Sequence, residues 1–299
     1  MSISYGLPFL GSKNKIAERI INILPEAEYF VDLFGGGGAL THCVSNKFFY
    51  KYKKIIYNEL NTDVYKIFKD VCSGNIKKFD WLSHEEYNEY KHLNKATLES
   101  LILFSMFNNL NCGYNINDNE YDLYKSVYEF IFNNDEKNLF NILNINFNKF
   151  NNFKNDFLKL DNFCEKYRFL KRFLNSNNKN IRMWLFERFE RCLNINRTLR
   201  NKNIEFFNDS YENILIPDDS VVICDIPYKG TLDYKHSFDY EKFYDWCLNS
   251  NNMIFICEYS MPDDFYLVNE LKIYSLNQER KEKLFCNRIY EEYGINDLF

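Results

Sequence analysis

Residues 29–44, YFVDLFGGGGALTHCV, decide the fold of this chain. Apolar residues lead into four consecutive glycines, and the residues after them have the composition of a helix start. Glycine allows positive φ and a close approach of the backbone to a ligand. The first turn of a helix adds free N–H groups and partial positive charge. The stretch therefore predicts a strand, a ligand-binding glycine loop and a helix in succession.

The residues around the loop narrow the class of ligand. The phosphate-binding pattern G-x-x-x-x-G-K-[ST] is absent, and the dinucleotide pattern G-x-G-x-x-G fits Gly36 and Gly38 but meets Thr41 where its third glycine belongs. Asp32 begins the loop, where an acid is unfavourable beside a pyrophosphate but favourable beside an ammonium group. The methionine part of S-adenosylmethionine (SAM) carries such a group. Glu59 ends the next predicted strand, where dinucleotide folds hold a ribose diol, although a lone glutamate is usually a surface acid.

A second motif, Asp225-Ile226-Pro227-Tyr228, follows the short apolar run 221–224. The run predicts a buried strand, so the motif lies where ligands bind in open α/β sheets. A carboxylate, a rigid proline and an aromatic ring at that edge can hold a flat ring with an amine, such as a nucleobase. Taken alone, these residues would more often be an ordinary turn. The glycine loop in the same chain favours the functional interpretation.

Together these motifs give the chain a resemblance to a known family. It resembles the Dam-like DNA adenine-N6 methyltransferases of phages and bacteria. The resemblance runs nearly end to end and is carried in order by Phe9-Leu10-Gly11-Ser12-Lys13, Asp32 to Gly38, Asn58-Glu59-Leu60-Asn61, Asn208-Asp209-Ser210-Tyr211 and Asp225 to Tyr228. One departure is Ile226, which stands where the family usually has its first proline. Because an isoleucine also has a backbone carbonyl, the resemblance implies that the site survives this change.

The resemblance implies a class I SAM-dependent methyltransferase, an α/β fold with a Rossmann-like, mostly parallel sheet and a helical insertion. SAM would be the methyl donor, S-adenosylhomocysteine the product, and no metal would be required. The residues implied to bind SAM are Phe9, Lys13, Asp32, Phe34, Gly36, Gly38, Glu59 and Asp209. Of these, Glu59 would hold the ribose, Asp209 the adenine amine, and Phe9 and Lys13 would close the site from the N-terminus.

The resemblance also implies how the target base is held. Adenine N6 is hidden in duplex DNA, so the base must be flipped out of the helix. Tyr228 would stack on the flipped ring, while the Asp225 carboxylate and the Ile226 carbonyl, before Pro227, would accept hydrogen bonds from the N6 amine. The implied partners are double-stranded DNA and, in a restriction–modification system, a cognate endonuclease. Two alternatives remain open: an RNA adenine or cytosine-N4 methyltransferase, and a catalytically silent nucleic-acid-binding protein.

The order of predicted elements indicates one catalytic domain that is interrupted by an insertion. The apolar residues that lead into the glycine loop and the segments at 54–59, 204–207, 221–224 and 253–257 predict strands that alternate with helices, which is typical of a parallel sheet. Residues 1–75 and 201–299 are predicted to form the SAM-binding domain. Residues 76–200, rich in Asn, Lys, Phe and Leu, are predicted to form a helical target-recognition insertion.

Charge is distributed unevenly along the chain. The net charge is −5, but the stretch from Lys137 to Lys202 has 15 basic and 5 acidic residues. Such asymmetry favours a nucleic-acid face on an otherwise acidic protein, although solvated helices would give the same counts. The nine cysteines include no Cys-x-x-Cys pair, so neither a zinc site nor a disulfide framework is expected. With neither a membrane-spanning segment nor a secretion signal in the sequence, we expect a cytoplasmic protein without a membrane partner.

Overall fold

The computed structural model describes residues 4–8, 11–74, 80–93, 95–104, 106–107, 110–111, 118–161, 163–177, 184–229, 238–275 and 278–289. The chain separates into two compact units. The first, which we call the sheet unit, comprises Met1–Asn75 and Asn194–Phe299. The second, the helical unit, comprises Ile76–Leu193.

Seven of the nine described strands provide the framework of the sheet unit. In chain order the described strands are β1 (Tyr29–Asp32), β2 (Lys54–Asn58), β3 (Met106–Phe107), β4 (Leu110–Asn111), β5 (Ile204–Phe207), β6 (Ser220–Cys224), β7 (Met253–Glu258), β8 (Tyr266–Ser275) and β9 (Gln278–Cys286). All except β3 and β4 join one seven-stranded sheet in the order β5-β2-β1-β6-β7-β9-β8. The pairs from β5 to β7 are parallel, whereas β9 is antiparallel to both β7 and β8. The predicted α/β fold with a mostly parallel sheet is therefore confirmed.

In the sheet unit, helices alternate with strands as the sequence predicts, except between β5 and β6, which a single 3-10 turn separates, and beyond β7. In chain order they are α1 (Ala17–Ile23), α2 (Ala39–Lys47), α3 (Thr62–Ser73), α4 (His84–His92), α5 (Leu98–Phe104), α6 (Asp118–Asn133), α7 (Lys137–Leu143), α8 (Phe147–Leu158), α9 (Phe163–Ser176), α10 (Trp184–Leu199) and α11 (Tyr240–Asn249). The two ends of α3 show how local chemistry determines where a helix begins and ends. The side chain of Asn61 caps its first N–H groups, and Gly74 ends it in the left-handed region at φ 103°.

The central strands are buried on both faces, which is typical of parallel sheets. Alternate residues pack into two apolar clusters, because side chains of a strand point to opposite faces. One cluster contains Phe30, Ile55, Val221, Ile223 and Phe255. The other contains Val31, Ile56, Val222, Cys224 and Ile254. Burial of this apolar surface on both sides fixes the register in which the strand ends meet.

The strand order contains a point at which the chain changes direction across the sheet. From β1 the chain continues to β2 and β5 on one side, whereas β6 and β7 lie on the other side of β1. In the parallel register Asp32 lies beside Tyr57 of β2 and Ile223 of β6. The loops after β1 and β6 therefore flank a topological switch point, where open α/β sheets form a crevice.

The helical unit has its own aromatic core. The rings of Phe130, Phe150, Phe153 and Phe157 pack between α6 and α8, and the ring of Phe173 on α9 stacks on Phe153 with 3.7 Å between centroids. Most exposed positions of α8 and α9 are polar, with Phe147 and Leu158 at the two ends of α8 as exceptions, so the amphipathic pattern accounts for the burial. Among the described residues of the whole chain, no helix has the length and apolar character needed to cross a membrane.

Candidate functional site

The glycine loop lies closely on two aromatic rings. Gly38 has φ 69°, and a side chain at this position would meet the ring of Phe68 at 2.1 Å. A side chain at Gly35 would meet the ring of Tyr57 at 2.2 Å. The Tyr57 hydroxyl also donates to the Gly36 carbonyl at 2.7 Å. The loop therefore requires glycine for both its conformation and its approach to the sheet.

The N-terminal segment packs against the same loop. The Leu7 N–H donates to the Gly37 carbonyl at 2.7 Å, and the Gly6 N–H donates to Nδ1 of His42 at 3.0 Å. Gly6 has φ 66°, and a side chain there would meet backbone atoms of Ala39 and Gly37 at 2.6 Å. The predicted site residue Phe9 is outside the described residues.

Asp32 is buried beneath the loop and contacts α2. Its Oδ2 accepts hydrogen bonds from the Thr41 N–H at 3.2 Å and the Thr41 hydroxyl at 2.7 Å. Burial raises the pKa of Asp32 to about 7, the two bonds from Thr41 oppose that rise, and repulsion from Asp225 and Glu59 adds to it. The carboxylate thus fixes the first turn of α2, and Thr41, where a dinucleotide loop has glycine, is its partner.

Glu59 connects the glycine loop to the start of α3. One carboxylate oxygen accepts from the Gly36 N–H at 2.8 Å, and the other accepts from the Asn61 N–H at 2.7 Å. Burial raises the pKa of Glu59, and the two backbone bonds counteract the rise. A carboxylate has about four lone-pair directions, so each oxygen can accept a further hydrogen bond. Glu59 can therefore position the loop and at the same time accept hydrogen bonds from the hydroxyls of a diol.

Asn58 joins three strand ends, a role that the sequence reasoning missed. Its amide donates to the carbonyls of Leu33 and Asp209, both at 3.0 Å, and its Oδ1 accepts from the Asp209 N–H at 3.2 Å. A polar residue directly after the apolar residues 55–57, where a buried strand is predicted, is the signal that could have indicated it. These bonds bring the turn after β5 to the crevice.

Asp209 and Phe34 provide a polar and an apolar surface near this turn. The Asp209 carboxylate is exposed and accepts from Ser210 N–H at 2.7 Å and from the Asn213 amide at 2.9 Å; the bond from Asn213, followed by that from Ser210, lowers its pKa. The Phe34 ring packs against Tyr211 of the same turn, with centroids 5.6 Å apart. The exposed Asp209 carboxylate therefore lies two residues before Tyr211, whose ring packs on Phe34.

The second half of the site is built around a buried ion pair. Lys13 Nζ lies 2.7 Å from Asp225 Oδ1 and 3.9 Å from Glu282 Oε2, and the Lys13 side chain is 4% exposed. Burial acts to lower the pKa of Lys13, but attraction to Asp225 and Glu282 outweighs it and the pKa is raised. Burial raises the pKa of Asp225, and attraction to Lys13 opposes this. The predicted cofactor residue Lys13 therefore contacts the acid of the tetrapeptide.

The Tyr228 ring is held by groups from three parts of the chain. The Lys13 ammonium lies 4.7 Å from its centroid, the Tyr259 ring meets it edge-on at 4.6 Å, and its hydroxyl donates a hydrogen bond to Glu282. Burial raises the pKa of the Tyr228 hydroxyl, so it remains a donor at neutral pH. Sequence reasoning did not assign Glu282 to the site.

The backbone of the tetrapeptide is fixed from both sides. The Tyr240 hydroxyl donates to the Pro227 carbonyl at 3.0 Å, and the Lys229 N–H donates to Glu258 Oε2 at 3.1 Å. Glu258 is 1% exposed and also accepts from the Tyr259 N–H. Ile226 is buried in the apolar cluster. Its side chain therefore anchors the turn in the core between Asp225 and Tyr228.

The described residues contain no group of three or more His, Cys, Asp or Glu side chains that could hold a metal ion. A comparison with protein-family models finds no match to this chain, and no curated protein matches it.

Proposed function

We propose that this protein transfers a methyl group from SAM to the N6 amine of adenine in double-stranded DNA. The observation that carries the proposal is the placement of two dissimilar loops at one switch point. The glycine loop with Glu59 lies on the β1–β2 side, and the Asp225 turn lies after β6. A reaction between two ligands needs two such half-sites, because positioning both reactants supplies much of the rate.

Three observations support SAM in the first half-site. The glycine loop can bring its backbone close to a ligand directly before α2 begins. Glu59 has lone pairs for ribose hydroxyls, and the Asp209 carboxylate can accept from an adenine amine. We assign the methionine contact to the backbone of Phe34, Gly36 and Gly38. When bound, SAM supplies a methyl group carried on a positively charged sulfur.

The chain's own residues can hold the target amine. Asp225 would accept a hydrogen bond from N6 through its carboxylate, and attraction to Lys13 favours the ionised form that accepts best. The Ile226 carbonyl would accept a second bond. Two acceptors on one amine orient the nitrogen lone pair away from them. Tyr228, fixed through its hydroxyl, would provide the surface against which a flipped base stacks.

The helical unit supports DNA as the substrate. Arg168 and Arg172 lie one turn apart on the exposed face of α9, within the stretch that has the local excess of basic residues. Basic side chains on one helical face neutralise phosphates without reading sequence. We propose this face as a phosphate contact.

Transfer of labelled methyl groups tests the proposal. Purified protein is incubated with methyl-labelled SAM and either unmethylated duplex DNA or RNA, and the products are digested to nucleosides and separated. We expect label in N6-methyladenine from DNA and none with Asp225→Asn. Label in N4-methylcytosine would show that cytosine is the target base, and label in RNA would show that RNA is the substrate. SAM binding without transfer to any nucleic acid would indicate a silent binding protein.

A further inference from the structure

Glu282 enters the site from β9, the strand that follows the parallel part of the sheet. Glu258 of β7 lies opposite Lys283 in the antiparallel register, so β9 brings Glu282 next to the end of β7. The Glu282 side chain is 14% exposed. Its Oε2 accepts a hydrogen bond from the Tyr228 hydroxyl and lies 3.9 Å from Lys13 Nζ.

The contacts of Glu282 differ in kind from those that hold the β-hairpin. Leu284, Phe285 and Cys286 pack into the core from β9 and are buried. The neighbouring Glu270 forms an exposed ion pair with Lys281 at 3.1 Å. Glu282 instead directs its carboxylate towards the tetrapeptide. Packing of β9 therefore does not explain why a nearly buried carboxylate is present at this position.

Two effects follow from the placement of this carboxylate. Rotation about χ1 would swing the whole Tyr228 ring to another place, and a hydrogen bond from its hydroxyl to a fixed acceptor opposes that movement. Glu282 and Asp225 also share the single ammonium of Lys13, so Lys13 is held between two anions. Glu282 thereby fixes both the ring of Tyr228 and the counter-charge of Asp225.

We propose that Glu282 is a positioning residue that orients Tyr228 and Lys13 for the base half-site, an inference that rests on the proposed methyl transfer. It does not touch the reacting atoms. Its effect passes mainly through the Tyr228 hydroxyl, which it contacts directly, and to a smaller extent through the Lys13 ammonium at 3.9 Å.

Four variants and one control test this inference: Glu282→Ala, Glu282→Gln, Tyr228→Phe, the Glu282→Ala/Tyr228→Phe double variant, and Glu270→Ala from the same hairpin. The measurements are the single-turnover rate at saturating duplex DNA and the affinity for SAM by calorimetry. We expect Glu282→Ala to slow the single turnover by about tenfold or more, with SAM affinity unchanged within about twofold. Glu282→Gln should recover part of the rate, because its amide oxygen can still accept from Tyr228. Glu270→Ala should match the wild type.

The double variant separates a positioning role from a general effect on the sheet. If Glu282 acts through the Tyr228 hydroxyl, Glu282→Ala should slow the Tyr228→Phe protein much less than it slows the wild type. An unchanged Glu282→Ala rate, or equal losses in both backgrounds, would overturn the inference while the methyl transfer stands. Absence of transfer by the wild-type protein would remove the proposed function, and this inference with it.

Discussion

Removal of the Lys13 ammonium is the most informative perturbation of the site. In Lys13→Met the Asp225 carboxylate, 22% exposed, loses a partner at 2.7 Å, and Glu282 loses the charge at 3.9 Å. Breaking a buried pair by removing one partner costs about 3–5 kcal/mol, and the partial exposure of Asp225 suggests the lower end, about 3 kcal/mol. Asp225→Asn should lower the free energy of unfolding by less, because the Lys13 ammonium still has the Glu282 carboxylate at 3.9 Å. Because the two residues interact directly, the loss in the double variant should be smaller than the sum of the single losses by about 1–3 kcal/mol.

The loss of stability in Lys13→Met should also depend on pH in a defined direction. Without Lys13, burial raises the pKa of Asp225 further above its unfolded value, so the folded state binds the proton more tightly. The stabilisation from that proton is complete below the unfolded pKa and is lost as pH rises through the raised folded pKa. Lys13→Met should therefore lose more stability at pH 8 than at pH 5.

Urea unfolding followed by circular dichroism measures these quantities for the wild type, both single variants and the double variant. Lys47→Met is the matched control, because Lys47 pairs with Glu18 on the exposed surface, and it should change stability far less. Strictly additive losses, or a Lys13→Met protein as stable as the Lys47→Met control, would show that the buried pair does not form in solution.

Three further perturbations test the other parts of the account. Glu59→Ala should weaken SAM binding by about 1.5–3 kcal/mol in calorimetry, since a charged acceptor is removed, and unchanged affinity would exclude Glu59 from the cofactor site. Because the pKa of Asp32 is raised to about 7, the wild type should lose stability as pH rises from about 4 to 7, ideally by about 4 kcal/mol, and Asp32→Asn should remove this loss. Urea unfolding across this pH range would refute the prediction if the free energies of unfolding of the two proteins changed with pH in the same way. Replacing Arg168 and Arg172 by Gln should reduce the slope of log DNA affinity against log salt by about 0.9 for each phosphate that is no longer neutralised, whereas Lys53→Gln should leave it unaltered; equal slopes in all three proteins would show that α9 is only a solvated face.

The parallel part of the fold could be predicted from the sequence because each strand is a short apolar run. β1, β2, β5, β6 and β7 lie where such runs predict them. Their burial on both faces requires that pattern. The strands β8 and β9, which extend the sheet by antiparallel pairing, were not predicted. β9 has the sequence QERKEKLFC, whose charged first half gives no clear alternation, so its pairing depends on contacts with β7 and β8.

The site could be predicted only where a local motif determines it. The four glycines and the acid that ends β2 give a recognisable pattern, and the structure brings Glu59 to the glycine loop. The pairing of Lys13 with Asp225 has no local signal, because the two residues lie far apart in the chain and meet only when β6 packs in the sheet. The same holds for Glu282 and Tyr228. Such contacts are set by tertiary packing, which a single sequence does not show.

Methylation of adenine N6 through the Asp225 turn can be tested in DNA from cells that produce the protein. Genomic DNA from a host without adenine methylation is sequenced with detection of modified bases after expression of the wild type or of Asp225→Asn. We expect N6-methyladenine in one recurrent sequence context with the wild type and none with Asp225→Asn. Unmodified adenine in wild-type cells, or equal modification by the two proteins, would contradict it.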